Sequence, residues 1–300
     1  MNLIRFTLAT TIALFILFSA PPKIYSECTK NKPATVFLGV ITLHHPLVMF
    51  KYYQPFVDYL SKKTPYKFEL KISQDYGTIV KYLVDGTIDV AILGGFTYLK
   101  ARKEAGVVPI LGTLNAEKKP LCQAIFIAKE DNKEINTIHD IKGKRFAFAS
   151  EYSTSGNLAP LYYLYSKEGI RLEDLAEYRN LKYHDSVARE VLRGNFDAGV
   201  VLGSVAMQYK GMGIKFIGKT DPFPSFLIVA RPGAAPEMVH SIEKALLSLD
   251  YDDPACRKIM DSWDVNIRHG FTKVSDSDYD VIRKMVSYLN KEGIRLGVKK

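Results

Sequence analysis

Residues 145–160 read Arg-Phe-Ala-Phe-Ala-Ser-Glu-Tyr-Ser-Thr-Ser-Gly-Asn-Leu-Ala-Pro, and this stretch decides the fold. Residues 145–149 are apolar and aromatic, which predicts a short buried strand. Residues 150–156 are polar and predict a turn. From Asn157 to Glu168, apolar residues recur every three or four positions and Gly169 follows, which predicts a helix. The stretch is therefore a strand, a turn and a helix in succession.

The turn carries the residues of a candidate anion site. Ser153, Thr154 and Ser155 can cap the helix while its first N–H groups point outward, and Gly156 lets the backbone approach a ligand. Hydroxyl groups, free N–H groups and the positive end of a helix together suit a tetrahedral oxyanion. The alternative is an ordinary helix cap that binds nothing.

The first residues have the pattern of a secretory signal peptide. A basic start, residues 1–5, precedes an apolar run from Phe6 to Phe18, and Pro21 and Pro22 end that run. We assign residues 1–26 to the signal peptide, with cleavage after residue 20 or 26, and expect a periplasmic protein. The alternative is an uncleaved anchor. Lipidation of Cys28 is disfavoured because Glu27 stands where a small residue would be needed.

Composition excludes several other classes. The 300 residues are 47% hydrophobic and 24% charged, as in a globular protein with a full core. The net charge of +9 comes from scattered Lys and Arg in an exported chain, so we expect no nucleic acid. An anionic ligand or an anionic membrane surface would suit this charge, and the alternative is a generally cationic solvated surface. Cys28, Cys122 and Cys256 are too few and too far apart for a disulfide framework. No Cys/His spacing fits a metal, and no cofactor is expected.

Strands and helices alternate along the rest of the chain, which predicts an α/β fold with mostly parallel sheets. The sequence Gly86-Thr-Ile-Asp89 is echoed by Gly194-Asn-Phe-Asp197, and each precedes a buried strand. We interpret the echo as two similar lobes that close over a ligand at a hinge. In such sheets the ligand lies beyond the carboxyl ends of the strands. The turns expected there are 42–45, 73–76, 94–98, 150–156, 184–186 and 202–204.

Three stretches resemble the phosphate/phosphite/phosphonate-binding proteins of ABC transporters. They are residues 149–160, residues 86–94, and His184 followed by the 194–197 echo. The resemblance spans roughly residues 34–290. It implies a two-lobed type II periplasmic binding fold, each lobe a mixed, mostly parallel sheet flanked by helices. Lobe 1 would be residues 33–120 plus 226–300, lobe 2 residues 121–225, and the crossovers near 121–124 and 220–226 the hinge.

The resemblance also implies roles for individual residues. The segment Ser153–Ser155 would hold the phosphoryl oxygens, and His184 would add a donor. The turn Gly94–Tyr98 would contribute from the other lobe, which makes Gly95, Thr97 and Tyr98 candidates.

Other candidates come from the residues themselves. Tyr76 and Tyr98 can donate phenolic hydrogen bonds or simply pack, and Thr42 lies in the first strand-end turn. His184 can donate to an oxyanion, more so when protonated; the alternative is a surface turn histidine. No Arg stands at an obvious strand-end turn, so neutral donors are expected to do the binding.

Departures from the family pattern narrow the expected ligand. Ser204 and Phe226 align with carboxylates that pair with the amine of aminoalkylphosphonates, and Leu93 aligns with an aromatic wall. A smaller oxyanion without a charged tail (phosphate, phosphite or an alkylphosphonate) therefore fits better.

The leading interpretation is an exported solute-binding protein, not an enzyme, that acts as a monomer and delivers its ligand to an ABC permease. One alternative is a sensory lobe that feeds a signalling partner, with the same fold. The other is an exported phosphoester hydrolase, for which the sequence shows no HExxH, no GxSxG and no metal-ligand set.

Overall fold

The computed structural model describes residues 33–297. The predicted signal peptide, residues 1–26, lies outside the described residues. Among the described residues, no helix combines the length and the apolar character that crossing a membrane requires.

The chain alternates between strands and helices, as the sequence predicts. The strands are β1 (Thr35–Val40), β2 (Lys67–Ile72), β3 (Val90–Leu93), β4 (Val108–Thr113), β5 (Leu121–Cys122), β6 (Ala124–Lys129), β7 (Arg145–Phe148), β8 (Glu177–Asn180), β9 (Ala198–Leu202), β10 (Ile214–Lys219), β11 (Phe223–Pro224), β12 (Leu227–Ala230) and β13 (Phe271–Lys273). The α-helices are α1 (Pro46–Lys63), α2 (Tyr76–Val84), α3 (Gly95–Ala105), α4 (Ala159–Tyr163), α5 (His184–Leu192), α6 (Gly203–Gln208), α7 (Pro236–Leu247), α8 (Pro254–Met260) and α9 (Asp280–Lys291).

Two large sheets have matching strand orders. The first runs β13-β4-β12-β3-β1-β2, and the second runs β10-β6-β9-β7-β8. In each sheet three strands are parallel neighbours, β2-β1-β3 and β8-β7-β9. In each sheet the next strand, β12 or β6, is antiparallel. β5 and β11 form a separate antiparallel pair beside the two crossings between the sheets.

The Gly-x-x-Asp echo has the same structural role in both sheets. The Asp89 carboxylate accepts the backbone N–H of Phe37 in β1 at 2.9 Å, and the Asp197 carboxylate accepts that of Arg145 in β7 at 2.9 Å. An arginine also pairs with each carboxylate. Each aspartate thus ties the start of one parallel strand to its neighbour, which explains the repeat without a ligand.

The decisive stretch folds as a strand, a turn and a helix, but the helix begins three residues earlier than predicted. Thr154–Leu158 is a π-helical turn, Ala159–Tyr163 is α-helical, and Leu164–Glu168 is a second π-helical turn. Ser153 alone is the N-cap, because its hydroxyl accepts the N–H of Gly156 at 3.0 Å. Single π-helical turns often occur at functional sites.

The strands β11 and β13 are not indicated by the sequence, whereas β5 and β6 lie within the single strand that the apolar run from Leu121 to Lys129 predicts. β13 has only three residues and lies within a region whose apolar period is helical. Strands this short carry too few residues for alternation to show.

Candidate functional site

A small cavity lies where the carboxyl ends of strands from both sheets meet. The hydroxyl residues Ser153, Thr154 and Ser155 line one side of it. The other lining residues come from the ends of β1 and β3, the start of α2 and the two crossings; they are Ile41, Leu43, Tyr76, Gly94, Gly95, Cys122, Phe223, Pro224, Ser225 and Phe226. About 10 Å³ remains for the centre of a water-sized sphere, which is room for one water molecule.

The three hydroxyl residues are deeply buried. Ser153, Thr154 and Ser155 are 2, 6 and 4% exposed. The N–H groups of Thr154 and Ser155 lie in the first helical turn, where no intrahelical acceptor is available. The described residues that line the cavity include no Lys, Arg, Asp or Glu. The site is therefore rich in hydrogen-bond donors and has no formal charge.

The Tyr76 hydroxyl is buried and has no hydrogen-bond partner among the described residues. Burial raises the pKa of Tyr76, although the nearby Ser153 hydroxyl acts in the opposite direction. The phenol therefore stays protonated at neutral pH. A buried donor without a partner is costly, so its position at the cavity wall marks a place for an acceptor that is not part of the protein.

Three hydrogen bonds join elements of the two sheets around the cavity. The N–H of Phe96 in α3 donates to Thr154 Oγ1 at 2.9 Å, and Thr97 Oγ1 donates to the carbonyl of Tyr152 at 3.1 Å. The N–H of His184 donates to the carbonyl of Leu43 at 3.3 Å. These bonds hold the two sides of the cavity together.

His184 lies behind Ser153 and does not line the cavity. Its Nδ1 accepts the backbone N–H of Leu202 at 3.1 Å, and its Nε2 lies 3.2 Å from Ser153 Oγ. Burial, followed by the neighbouring His44, lowers the pKa of His184 to about 3. The imidazole is therefore neutral at physiological pH. The ring is therefore not the cationic donor that protonation was expected to provide. It is also not the histidine of an exposed surface turn, because His184 is buried at the start of α5.

Three other predicted side chains turn away from the cavity. Thr42 Oγ1 donates to the carbonyl of Ser73 at 2.7 Å. Thr97 reaches Tyr152, as described above. The Tyr98 hydroxyl donates to Asp276, and Tyr98 is completely buried against Tyr279. Each of these groups satisfies its hydrogen bonding within the protein.

Both predicted glycines have structural reasons for lacking a side chain. A Cβ on Gly156 would lie 2.4 Å from Ala149 Cβ and 2.7 Å from His184 Cε1. Packing of the helix start against Ala149 and α5 is therefore a sufficient reason for a glycine at position 156. Gly95 does line the cavity, but a Cβ there would also crowd Ile282 at 3.0 Å.

Only one of the three residues that align with ligand-contacting positions of the family lines the cavity. Phe226 lines the cavity, and Leu93 is completely buried in β3. The Ser204 hydroxyl is buried without a partner among the described residues, but Ser204 does not line the cavity.

The sequence does not indicate that residues of the two crossings between the sheets line the cavity. Cys122 lies within an apolar run that is typical of a core strand, and Phe223 and Pro224 carry no chemical signature. The only signal was the expected hinge, since a chain that crosses between two lobes must pass next to the cleft. No group of three or more His, Cys, Asp or Glu side chains within residues 33–297 is placed to hold a metal ion.

A sequence model of the family described as "ABC transporter, phosphonate, periplasmic substrate-binding protein" matches residues 38–279. The chain belongs to this family. The resemblance inferred from the sequence is thereby confirmed, and so is the interpretation as a substrate-binding protein of an ABC transporter family.

Curated relatives in this family are described as binding or import proteins of transporters. The phosphate-import protein PhnD of Mycolicibacterium smegmatis is 25% identical over 315 residues, which cover 95% of this chain and 96% of the relative. The probable ABC transporter phosphite-binding protein PhnD1 of Prochlorococcus marinus is 26% identical over 66% of each chain.

Solved structures confirm the predicted fold. PhnD1 of Prochlorococcus marinus in complex with methylphosphonate has a TM-score of 0.77 at 22% identity, covering 87% of this chain and 100% of that chain. A binding protein component of an ABC phosphonate transporter from Pseudomonas aeruginosa has a TM-score of 0.77 at 20% identity, covering 86 and 87%. The chain thus has the two-sheet architecture of periplasmic binding proteins.

Proposed function

We propose that this protein captures a phosphate-like oxyanion (phosphate, phosphite or an alkylphosphonate) and delivers it to an ABC permease. The observation that carries the proposal is the unpartnered Tyr76 hydroxyl, which belongs to a residue that lines the same uncharged cavity as the buried hydroxyl residues Ser153–Ser155. An oxyanion has several acceptor oxygens, and it can take up all of these donors at once.

In this proposal the two large sheets are the cores of two lobes, with residues 33–120 and 226–300 in one and 121–225 in the other. The crossings near β5 and β11 are the hinge. The hydrogen bonds from Phe96 to Thr154 and from His184 to Leu43 connect the lobes in the closed form. Opening must break these bonds before a ligand can enter, because the closed cavity admits a single water.

The lining favours ligands without a positive charge. Phe226, Ile41 and Leu43 form its apolar part, and no carboxylate among the described lining residues could pair with an ammonium group. Burying an unpaired ammonium is costly, so 2-aminoethylphosphonate should bind much more weakly than the simple oxyanions.

The geometry around Ser153 disfavours a hydrolase. A serine nucleophile needs a base with a bare nitrogen facing its hydroxyl. The bare nitrogen of His184 is Nδ1, which accepts the Leu202 N–H, so the nitrogen that faces Ser153 carries the proton. We therefore propose that the protein binds and releases its ligand unchanged. We also propose that it acts in the periplasm, as a monomer, after removal of residues 1–26.

A melting-temperature screen tests the proposal. Phosphate, phosphite and methylphosphonate should each stabilise the protein, by about 2.7 kcal/mol at a hundredfold excess over Kd. 2-Aminoethylphosphonate should give little stabilisation. Tight binding of the aminophosphonate, or no response to any oxyanion, would contradict the proposal.

Two variants separate ligand contacts from stability. Thr154→Ala removes a lining hydroxyl and should weaken binding by about tenfold or more, because hydrogen bonds to charged groups are worth about 1.5–3 kcal/mol. Thr42→Ala removes a buried hydroxyl that points to Ser73, so it should lower stability and leave the affinity unchanged. Equal affinity loss in both variants would argue against a specific role of Thr154.

A further inference from the structure

The last helix of the described chain, α9, is anchored on the first lobe of the proposed function, residues 33–120 and 226–300. The Arg283 guanidinium pairs with the Asp276 carboxylate at 2.6 Å, and the same carboxylate accepts the Tyr98 hydroxyl. Ile282 lies so close to Gly95 that a Cβ on this glycine would be 3.0 Å from it. The start of α9 is therefore fixed behind the beginning of α3, which borders the ligand cavity.

The far end of α9 and the residues after it contact the second lobe, residues 121–225. The Tyr288 ring packs edge-on against the Tyr162 ring, with 5.3 Å between the centroids. The Glu292 carboxylate pairs with the Arg171 guanidinium at 2.8 Å. The terminal segment, residues 280–297, thus joins the two lobes outside the crossings at β5 and β11.

Contacts from three elements of the first lobe converge on Tyr152, a residue of the second lobe. Its hydroxyl donates to the Gly297 carbonyl at 2.7 Å, and its own carbonyl accepts the Thr97 hydroxyl at 3.1 Å. The Lys100 ammonium lies 5.4 Å from the centre of its ring. A Cβ on Gly77 would lie 3.8 Å from the ring. The beginning of α2, α3 and the terminal segment therefore all touch this one residue.

The end of the terminal segment is held to the second lobe at only a few points. A cavity of about 690 Å³ remains there, and its walls include residues 294–297 together with Leu161 and Leu172 of the second lobe. The ion pair between Glu292 and Arg171 is exposed on its arginine side, and exposed ion pairs contribute little to stability. The hydrogen bond from Tyr152 is therefore the main polar attachment of these residues.

We propose that the Tyr152 hydroxyl and the Gly297 carbonyl form a latch that helps to hold the two lobes closed. The inference rests on the two lobes of the proposed function. When the second lobe swings open, Tyr152 leaves the terminal segment, and its hydroxyl exchanges the carbonyl for water. The latch therefore shifts the equilibrium towards the closed form, which alone encloses a ligand. Tyr152 does not line the ligand cavity, so it acts as a positioning residue.

Two backbone amides report closure without any ligand. The Phe96 N–H donates to Thr154 Oγ1, and the His184 N–H donates to the Leu43 carbonyl, each from one lobe to the other. Both amides lie in the first turn of a helix, where no intrahelical acceptor is available. They lose their hydrogen bonds when the lobes separate. Their hydrogen exchange, followed by NMR on the ligand-free protein, therefore measures how often the lobes open.

Two variants remove the latch from opposite sides. Tyr152→Phe deletes only the hydroxyl, and the net worth of one hydrogen bond corresponds to about 2- to 10-fold in an equilibrium constant. Exchange at both reporter amides should be faster by this factor. Gly297→Ala should act in the same direction, because its Cβ would lie 2.8 Å from the Tyr152 ring and its φ is +68°. Unchanged exchange at both amides in both variants would overturn the inference.

Tyr59→Phe is the matched control. The Tyr59 hydroxyl also donates to a backbone carbonyl, that of Ala245 at 2.9 Å, but both residues belong to the first lobe. This variant should lower the melting temperature and leave exchange at the two reporter amides unchanged. If it accelerates their exchange as much as Tyr152→Phe does, the effect is a general loss of stability and the latch is wrong.

Binding of inorganic phosphate and of methylphosphonate, measured by calorimetry, tests the consequence for affinity. Kd should be about 2- to 10-fold higher in Tyr152→Phe than in the wild type, and unchanged in Tyr59→Phe. If the wild type binds neither oxyanion, the proposed function is wrong, and the exchange rates still decide whether the latch exists. If the wild type binds and Tyr152→Phe binds equally tightly, the function stands and the latch is overturned.

Discussion

Replacing Tyr76 with phenylalanine should stabilise the ligand-free protein and weaken oxyanion binding at the same time. The hydroxyl is buried at the cavity wall with no partner among the described residues. An unsatisfied buried polar group costs about 1–3 kcal/mol. Because the cavity has room for one water that can partly satisfy the hydroxyl, the low end applies. We expect the free energy of unfolding to rise by about 1 kcal/mol and Tm by about 2–4 °C.

The effect on binding has the opposite sign. If the Tyr76 hydroxyl donates to an anionic oxygen, its removal costs about 1.5–3 kcal/mol of binding free energy. Kd for phosphate or methylphosphonate should then increase by about 10- to 150-fold. Calorimetry measures the affinity, and thermal and urea unfolding without ligand measure the stability.

Tyr98→Phe is the matched control. Its hydroxyl donates to Asp276 and does not line the cavity, so this variant should lose stability and keep its affinity. The reasoning about Tyr76 is refuted if Tyr76→Phe binds phosphate and methylphosphonate as tightly as the wild type. It is also refuted if Tyr76→Phe loses as much stability as Tyr98→Phe, since the hydroxyl would then be satisfied within the protein.

Three further predictions concern packing, charge and the permease. Gly156→Ala should lower the free energy of unfolding by about 1–3 kcal/mol, because its methyl group would lie 2.4 Å from Ala149 Cβ. The control is Gly77→Ala, where a methyl group meets no close contact, so that variant should be neutral or more stable. Equal unfolding midpoints for the two variants would contradict this prediction. A hydrogen bond from the Arg145 guanidinium lowers the pKa of Asp197. The stabilisation that ionised Asp197 contributes is therefore complete above about pH 4 and is lost as the pH falls through the lowered pKa. In Asp197→Asn, the free energy of unfolding measured with urea should fall less steeply at acid pH. Phe50 is 53% exposed on the first turns of α1, the helix that follows the lining residue Leu43 in the chain. Phe50→Ser should therefore reduce stimulation of the permease ATPase in proteoliposomes and leave Kd unchanged, and full stimulation would show that this surface does not dock.

The part of the site that is local in sequence could be predicted. Ser153, Thr154 and Ser155 lie at a strand-to-helix turn, and periodicity alone locates such a turn because strand and helix have different repeats. The Gly-x-x-Asp echo also predicted two similar units, and both sheets use it in the same way. What it could not predict is the purpose of the aspartates, because their partners lie 52 residues away in the chain.

The orientation of single side chains could not be predicted, because it depends on tertiary partners. Thr42, Thr97 and Tyr98 lie in the predicted turns, yet each finds an acceptor inside the protein and turns away from the cavity. His184 is predicted to contact the ligand, and without one its two ring nitrogens lie at hydrogen-bond distance from Leu202 and Ser153. Strand-end position selects candidates, and only the competition among nearby acceptors decides which of them face the ligand.

A cavity without formal charge can hold an anion only if its donors are fixed in place. Replacing the hydration shell of an oxyanion requires several hydrogen bonds, and a donor that can rotate towards an internal acceptor contributes little when the ligand arrives. In this structure the Thr154 oxygen accepts from Phe96, and the Ser153 oxygen accepts from Gly156. Because each oxygen already accepts a hydrogen bond from the protein, we expect its hydroxyl proton to be available to a ligand in the cavity. In the proposed function, selectivity for a tetrahedral oxyanion then follows from the placement of these donors. A lysine or arginine in the cavity would weaken that selectivity, because it attracts any anion over a long range.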